Sequence, residues 1–197
     1  MLQLCKVTHS LFISNARSAC NDELLQKEAV TLCINVSQQQ PCPASDRIST
    51  LRVPAYDDPN EDLHSHFDRC ADIILDEEAR GGRTVVYCKN GRSRSATICI
   101  AYLMKHQCLS LTEAYEVVKS ARSVAEPNQG FWAQLERYEQ ELQGKRATPE
   151  HKSFSTATIS AKTCATKEIQ RIINGIIGPD HKFLYTKISV FGGKLRL

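Results

Sequence analysis

Runs of β-branched and apolar residues alternate along this chain with stretches whose apolar positions recur every three or four residues. VTLCINVS, residues 30–37, is apolar at nearly every position, which predicts a strand covered on both faces. SLFISN (10–15), ISTLRVPA (48–55) and RTVVY (83–87) predict three further strands. Between them the period lengthens. NDELLQKEA (21–29) reads as a short helix capped by Asn21. Leu63, Phe67, Cys70 and Ile74 then recur at helical spacing. Asp58 is the expected cap of that helix, with Pro59 at its first position, Glu61 completing a capping box and Gly81-Gly82 ending it. After residue 87 helices dominate. One spans 95–107, with Ile98, Ala101 and Tyr102 on one side. A second spans 110–122, with Ser110 and Glu113 as its capping box. The last, 127–143, carries a stripe of Phe131, Leu135, Tyr138 and Leu142. Strands alternating with helices, then mostly helices, predict an α/β fold with a mostly parallel central sheet of four to five strands flanked by helices.

The chain has 197 residues, 42% of them hydrophobic, which is enough for a sizeable core. Its net charge of +3 is too small to argue for a nucleic-acid partner. No apolar run approaches the roughly 18 residues a membrane span needs. MLQLCKVTHS lacks the apolar stretch of a secretion signal, and leucine at position 2 excludes myristoylation. The nine cysteines are odd in number and form no C-x-x-C pair, so neither a disulfide framework nor a metal site is expected. A reducing compartment follows, cytoplasmic or nuclear.

Charge divides the chain. Residues 1–144 hold 15 Lys and Arg against 19 Asp and Glu, a net −4; residues 145–197 hold 10 against 3, a net +7. A boundary is expected near Gly144, with a domain over 1–144 and a flexible or partly ordered basic tail over 145–197. KEIQRIINGIIG could form a short amphipathic helix there, and HKFLYTKISVFGG a strand. The tail's charge would suit an acidic partner or a membrane surface.

The chemistry concentrates in VVYCKNGRSRSAT, residues 85–97. Cys88 lies between a predicted strand and a predicted helix, where open α/β sheets carry their sites. Backbone N–H groups of such a loop can form an anion nest, and the following helix aims its positive end at it. Gly91 permits a backbone geometry other residues resist. Arg94 supplies a planar fork of donors matched to two phosphate oxygens. A free thiol titrates near ~8.5, and cations with a helix N-terminus lower it by several units, so Cys88 is expected to be a thiolate. It could attack phosphorus and form a phosphocysteine that water hydrolyses. The leaving oxygen needs an acid. VPAYDDPNEDL offers two aspartates; Asp58 has a helix-capping duty and Asp57 has none, which favours Asp57 over Asp58 as the acid.

CKNGRSRS is similar to the C-x-x-G-x-x-R-S loop of the cysteine-dependent dual-specificity protein phosphatases. LFISNARSA, TLCINVS, AYLMKH, SLTEAYEVVKSAR and PNQGFWAQLERYE extend the resemblance over about residues 7–142, and the lack of a preceding kinase-docking domain suits the atypical members. The resemblance implies a phosphatase acting on phosphotyrosine and phosphoserine or phosphothreonine in protein substrates, without a cofactor. By position, Cys88 would be the nucleophile, Arg94 the phosphate clamp and Asp57 the general acid. Ser95 would hydrogen-bond the departing thiolate. The loop Lys89, Asn90, Gly91, Arg92, Ser93 and Arg94 would hold the phosphate by its amides. Asn128 would brace the loop, or simply cap a helix. One position departs: the family usually has histidine before the cysteine, and here Tyr87 stands. Tyrosine cannot become a cation, so a higher Cys88 pKa and slow turnover are expected. Each pKa unit above the working pH removes nearly tenfold of the thiolate, about 1.4 kcal/mol.

The same residues admit other readings. Lys89 and Arg92 occupy positions where phosphoinositide phosphatases carry cations, which raises lipid headgroups or other polyphosphates as substrates. A phosphate-binding module with little turnover would also suit Tyr87. A rhodanese-like sulfurtransferase shares the strand, loop and helix but would not need Asp57. A P-loop nucleotidase is excluded because G-x-x-x-x-G-K-[ST] is absent.

Overall fold

The computed structural model describes residues 2–147. Five strands, β1 (Cys5–Lys6), β2 (Leu11–Asn15), β3 (Leu32–Asn35), β4 (Ser49–Arg52) and β5 (Thr84–Cys88), form one sheet in the order β1-β2-β5-β3-β4. Only β1 runs antiparallel, pairing Cys5 with Ile13 and Lys6 with Phe12. The central strand β5 is buried along its whole length, because β2 and β3 flank it and helices cover both faces.

Helices α1 (Ala16–Ala19) and α2 (Asp22–Lys27) cover one face. Phe12, Ala16, Ala19, Leu25, Val30, Cys33, Val85 and Tyr87 form the small core between them and the sheet. The larger core lies under α3 (Phe67–Ala79), α4 (Arg94–His106), α5 (Leu111–Ala121) and α6 (Gln129–Ala147). Leu63, Phe67, Cys70 and Ile74 all point into it, as do Phe131, Leu135, Tyr138 and Leu142. Burial pushes the Cys70 thiol up to about 12, the behaviour of a small core hydrophobe. The α/β architecture matches the sequence expectation.

Two caps form as the sequence predicts. Asn21 Oδ1 accepts from Leu24 N at 2.9 Å, and Ser110 and Glu113 form a reciprocal box. The cap expected at Asp58 does not start a helix. Asp58 Oδ1 instead accepts from Asn60 N at 2.8 Å, and Glu61 Oε2 accepts from Tyr56 N at 2.9 Å, closing a turn. The helical chain begins only with a 3₁₀ turn, His64–His66, leading into α3. Its first donors, Leu63 N and His64 N, go to the Gln134 side-chain oxygen of α6 at 2.9 and 2.8 Å. A second difference concerns α4. Its apolar side was expected around Ile98, Ala101 and Tyr102, but every residue from Arg94 to Met104 is buried, because α3, α5, α6 and the sheet surround it. Among the described residues no helix is long and apolar enough to cross a membrane. The segments read as a tail helix and a tail strand lie outside the described residues.

Candidate active site

Strand β5 delivers Cys88 to the C-terminal edge of the parallel sheet, and α4 begins six residues later at Arg94. The five residues between them form a loop whose carbonyls are all engaged. Lys89 O accepts from Ala16 N at 3.4 Å and Arg92 O from Glu126 N at 2.8 Å. Asn90 O and Gly91 O accept from Arg122 Nη2 and Nε at 2.9 and 2.6 Å. Ser93 O accepts from the Thr97 hydroxyl at 2.9 Å. No peptide among the described residues is cis, and in a trans peptide the C=O and the next N–H point in opposite directions. Carbonyls turned outward to α1, Arg122 and Glu126 therefore turn the N–H groups of Asn90, Gly91, Arg92 and Ser93 inward. That is the geometry of an anion nest.

Gly91 makes the turn possible. Its φ is +63°, and a Cβ there would stand 2.5 Å from the Ser14 carbonyl oxygen and 2.8 Å from Arg122 Nε. Ser93 occupies the N-cap position of α4 but makes no side-chain cap. Its hydroxyl accepts instead from Asn128 N at 3.0 Å, so the positive end of a 13-residue helix faces the loop uncapped by Ser93.

Cys88 is buried, with Sγ 3.3 Å from Ser95 Oγ. Arg94 is only 9% exposed. Its Nη1 donates to Ala55 O at 3.0 Å, while the buried Nε has no partner among the described residues. A buried guanidinium N–H without an acceptor is costly unless something anionic fills the site. Asp57 is exposed on the loop after β4, and its Oδ1 accepts from Asn128 Nδ2 at 3.1 Å. Asn128 Oδ1 in turn accepts from Phe131 N at 2.9 Å and caps α6. Asn128 thus joins the Asp57 carboxylate, the Ser93 hydroxyl and a helix terminus. Gly130 lets α6 approach this side, since a Cβ there would collide with the Pro59 carbonyl.

The other sequence candidates fall on the rim or below it. Lys89, Asn90 and Arg92 expose their side chains. Arg92 is ion-paired with Glu126, its Nε 3.1 Å from Glu126 Oε2. The pair holds the Glu126 carboxyl below its ordinary range. Tyr87 is fully buried in the smaller core, and its hydroxyl donates to Pro41 O at 2.7 Å. Burial, with the nearby Cys42 and Cys20 sulfurs, pushes the phenol far above its ordinary pKa, so it is neutral. Adjacent strand residues face opposite sides of a sheet, so the Tyr87 ring and the Cys88 thiol point apart. Arg122 and Glu126, which hold the loop, were not singled out from sequence. The only signal was their position just before PNQGF. Among the described residues no group of three or more His, Cys, Asp or Glu is placed to hold a metal ion.

Residues 11–141 match the family model for the dual specificity phosphatase catalytic domain. Mouse dual specificity phosphatase 28 is 53% identical over 144 residues, covering 73% of this chain and 88% of that protein. Human dual specificity protein phosphatase 18 is 43% identical over 142 residues, covering 72% and 76%. The crystal structure of a mouse putative dual specificity phosphatase complexed with zinc tungstate superposes with a TM-score of 0.72 at 50% identity, covering 77% of this chain and 95% of that one. Cysteine loop, fold and relatives agree: the chain belongs to the dual specificity phosphatase family and is a protein tyrosine/serine/threonine phosphatase.

Proposed function

We propose that the chain hydrolyses protein phosphomonoesters through a phosphocysteine at Cys88. The Cys88 thiolate attacks phosphorus. The bond from phosphorus to the ester oxygen breaks, and Asp57 gives that oxygen its proton. The loop amides and Arg94 stabilise the charge on the three equatorial oxygens. Asp57, now ionised, takes a proton from water as the water attacks the phosphocysteine. The sulfur leaves as thiolate with a hydrogen bond from Ser95, and inorganic phosphate departs. The observation that carries this reading is the buried Arg94 Nε, without a partner among the described residues, beside a loop whose peptide N–H groups turn inward. Tungstate in the mouse relative supports it, because tungstate is a tetrahedral oxyanion like phosphate.

Turnover is slow in this proposal. A buried neutral phenol, fixed to Pro41, occupies the position where the family usually supplies an imidazole. Polyphosphate headgroups fit less well than phosphoproteins, because Glu126 already neutralises Arg92 on the rim. The test is hydrolysis of 4-nitrophenyl phosphate and of a panel of phosphotyrosyl, phosphoseryl and phosphoinositide substrates by wild type and Cys88→Ser. Release of phosphate from phosphopeptides that vanishes in Cys88→Ser is expected. Oxyanion binding without Cys88-dependent turnover would replace the enzyme with a phosphate-binding module.

A further inference from the structure

We infer that Arg122 is a positioning residue for the phosphate-binding loop, setting the direction of two of its peptide dipoles. Arg122 ends α5, its own N–H donating to Val118 O at 2.9 Å. From there its side chain spans to the loop. Nε donates to Gly91 O at 2.6 Å, Nη2 to Asn90 O at 2.9 Å and Nη1 to Cys5 Sγ at 3.4 Å. One guanidinium thus engages two consecutive loop carbonyls and the edge strand β1.

The consequence follows from peptide planarity. Holding Asn90 O and Gly91 O outward points the N–H groups of Gly91 and Arg92 toward the anion. These two groups flank the left-handed residue Gly91, where the chain has most freedom to turn the wrong way. The neighbouring carbonyls are fixed differently, Lys89 O by Ala16 N and Arg92 O by Glu126 N, both backbone donors. Arg122 is therefore the side chain on which the middle of the nest depends. Lysine cannot replace it, because one ammonium cannot reproduce two donors in a rigid plane.

The consequence for turnover rests on the phosphatase reading; the consequence for anion binding does not. The experiment measures both. Dissociation constants for inorganic phosphate and tungstate are determined by calorimetry for wild type, Arg122→Lys and Arg122→Ala, beside kcat, KM and Tm. Arg83→Gln is the structural control. Arg83 likewise bonds a distant carbonyl, Glu28 O at 3.0 Å, but lies at the opposite end of β5. Misplaced binding groups cost up to about 100-fold, so Arg122→Lys is expected to weaken both oxyanions and lower kcat by about tenfold or more. Its Tm should fall no further than that of Arg83→Gln, whose oxyanion affinity stays within about twofold of wild type on the same argument. If Arg122→Ala does not fold, Arg122→Lys decides. Folded Arg122 variants that bind both oxyanions as wild type does would overturn the inference. A wild type that binds neither would remove the nest and the inference together. Oxyanion binding lost in Arg122→Lys, with no Cys88-dependent turnover in wild type, would sustain the inference and sink the proposed enzyme mechanism.

Discussion

Replacing Asn128 by serine separates two tasks that one side chain performs. A serine hydroxyl can still accept from Phe131 N and cap α6, and the backbone N–H still reaches Ser93 Oγ. What is lost is the Nδ2 donor to Asp57 Oδ1 at 3.1 Å. That bond is exposed, so its loss costs about 1 kcal/mol or less. Asn128→Ala loses the cap as well, about 1 kcal/mol more, or about 3 °C in Tm for a domain of this size. Catalysis should respond differently. Proton donation to the leaving oxygen contributes about 10²- to 10⁴-fold, and the need for it grows with the basicity of that oxygen. Asn128→Ser is therefore expected to lower kcat/KM about tenfold for phenyl phosphate and phosphoserine peptides, but under about threefold for 4-nitrophenyl phosphate, whose leaving oxygen needs little help. Asp57→Asn should rank the substrates in the same order, and Asn128→Ser should add little in that background. The assay is a leaving-group series at constant pH. An Asn128→Ser defect of the same size across the series would refute the reasoning and place the effect in the Ser93 loop instead.

Three further predictions follow from named contacts. Tyr87→His should raise turnover at neutral pH while lowering stability by about 1–2 kcal/mol, because a buried ring and its bond to Pro41 O are removed; steady-state kinetics with no gain would count against the slow-turnover argument. Ser95→Ala should release a burst of phenol and then turn over slowly as phosphocysteine accumulates, read by rapid quench and mass analysis of Cys88. Glu77 concerns stability alone. The Thr31 hydroxyl, 2.6 Å away, and then Arg80 hold its carboxyl below the ordinary range despite partial burial. A carboxylate depressed in the folded state stabilises the fold above its unfolded pKa and loses that contribution as pH falls through the folded value. The Tm gap between wild type and Glu77→Gln should be present at about pH 6 and close toward about pH 3; a gap independent of pH would contradict it.

Features carried by neighbouring residues were legible without coordinates. Asn21, Ser110 with Glu113, and the apolar stripes of α3 and α6 act within a turn or two of themselves, so their pattern and their structure coincide. The sheet strands β2, β3, β4 and β5 were visible for the same reason, to within three residues at each end. β1 has two residues and α1 four, too few for any periodicity to register. The expected helix start at Asp58 failed because a local signal met a distant competitor. Pro59-Asn60 made a turn, and the Gln134 amide, 70 residues away, took the first donors of the helical chain.

The order of residues in CKNGRSRS determined that a thiol, a left-handed turn and a cation would stand within one loop, since a chain of seven residues cannot separate them far. Which way the peptides of that loop point was decided only by tertiary structure. Four of its five carbonyls are held by Ala16, Arg122 and Glu126, from two distant segments of the chain. Asp57 is tied to the loop only because α6 brings Asn128 between them. A nest of N–H groups is a matter of direction, and direction is fixed by partners that sequence proximity does not supply.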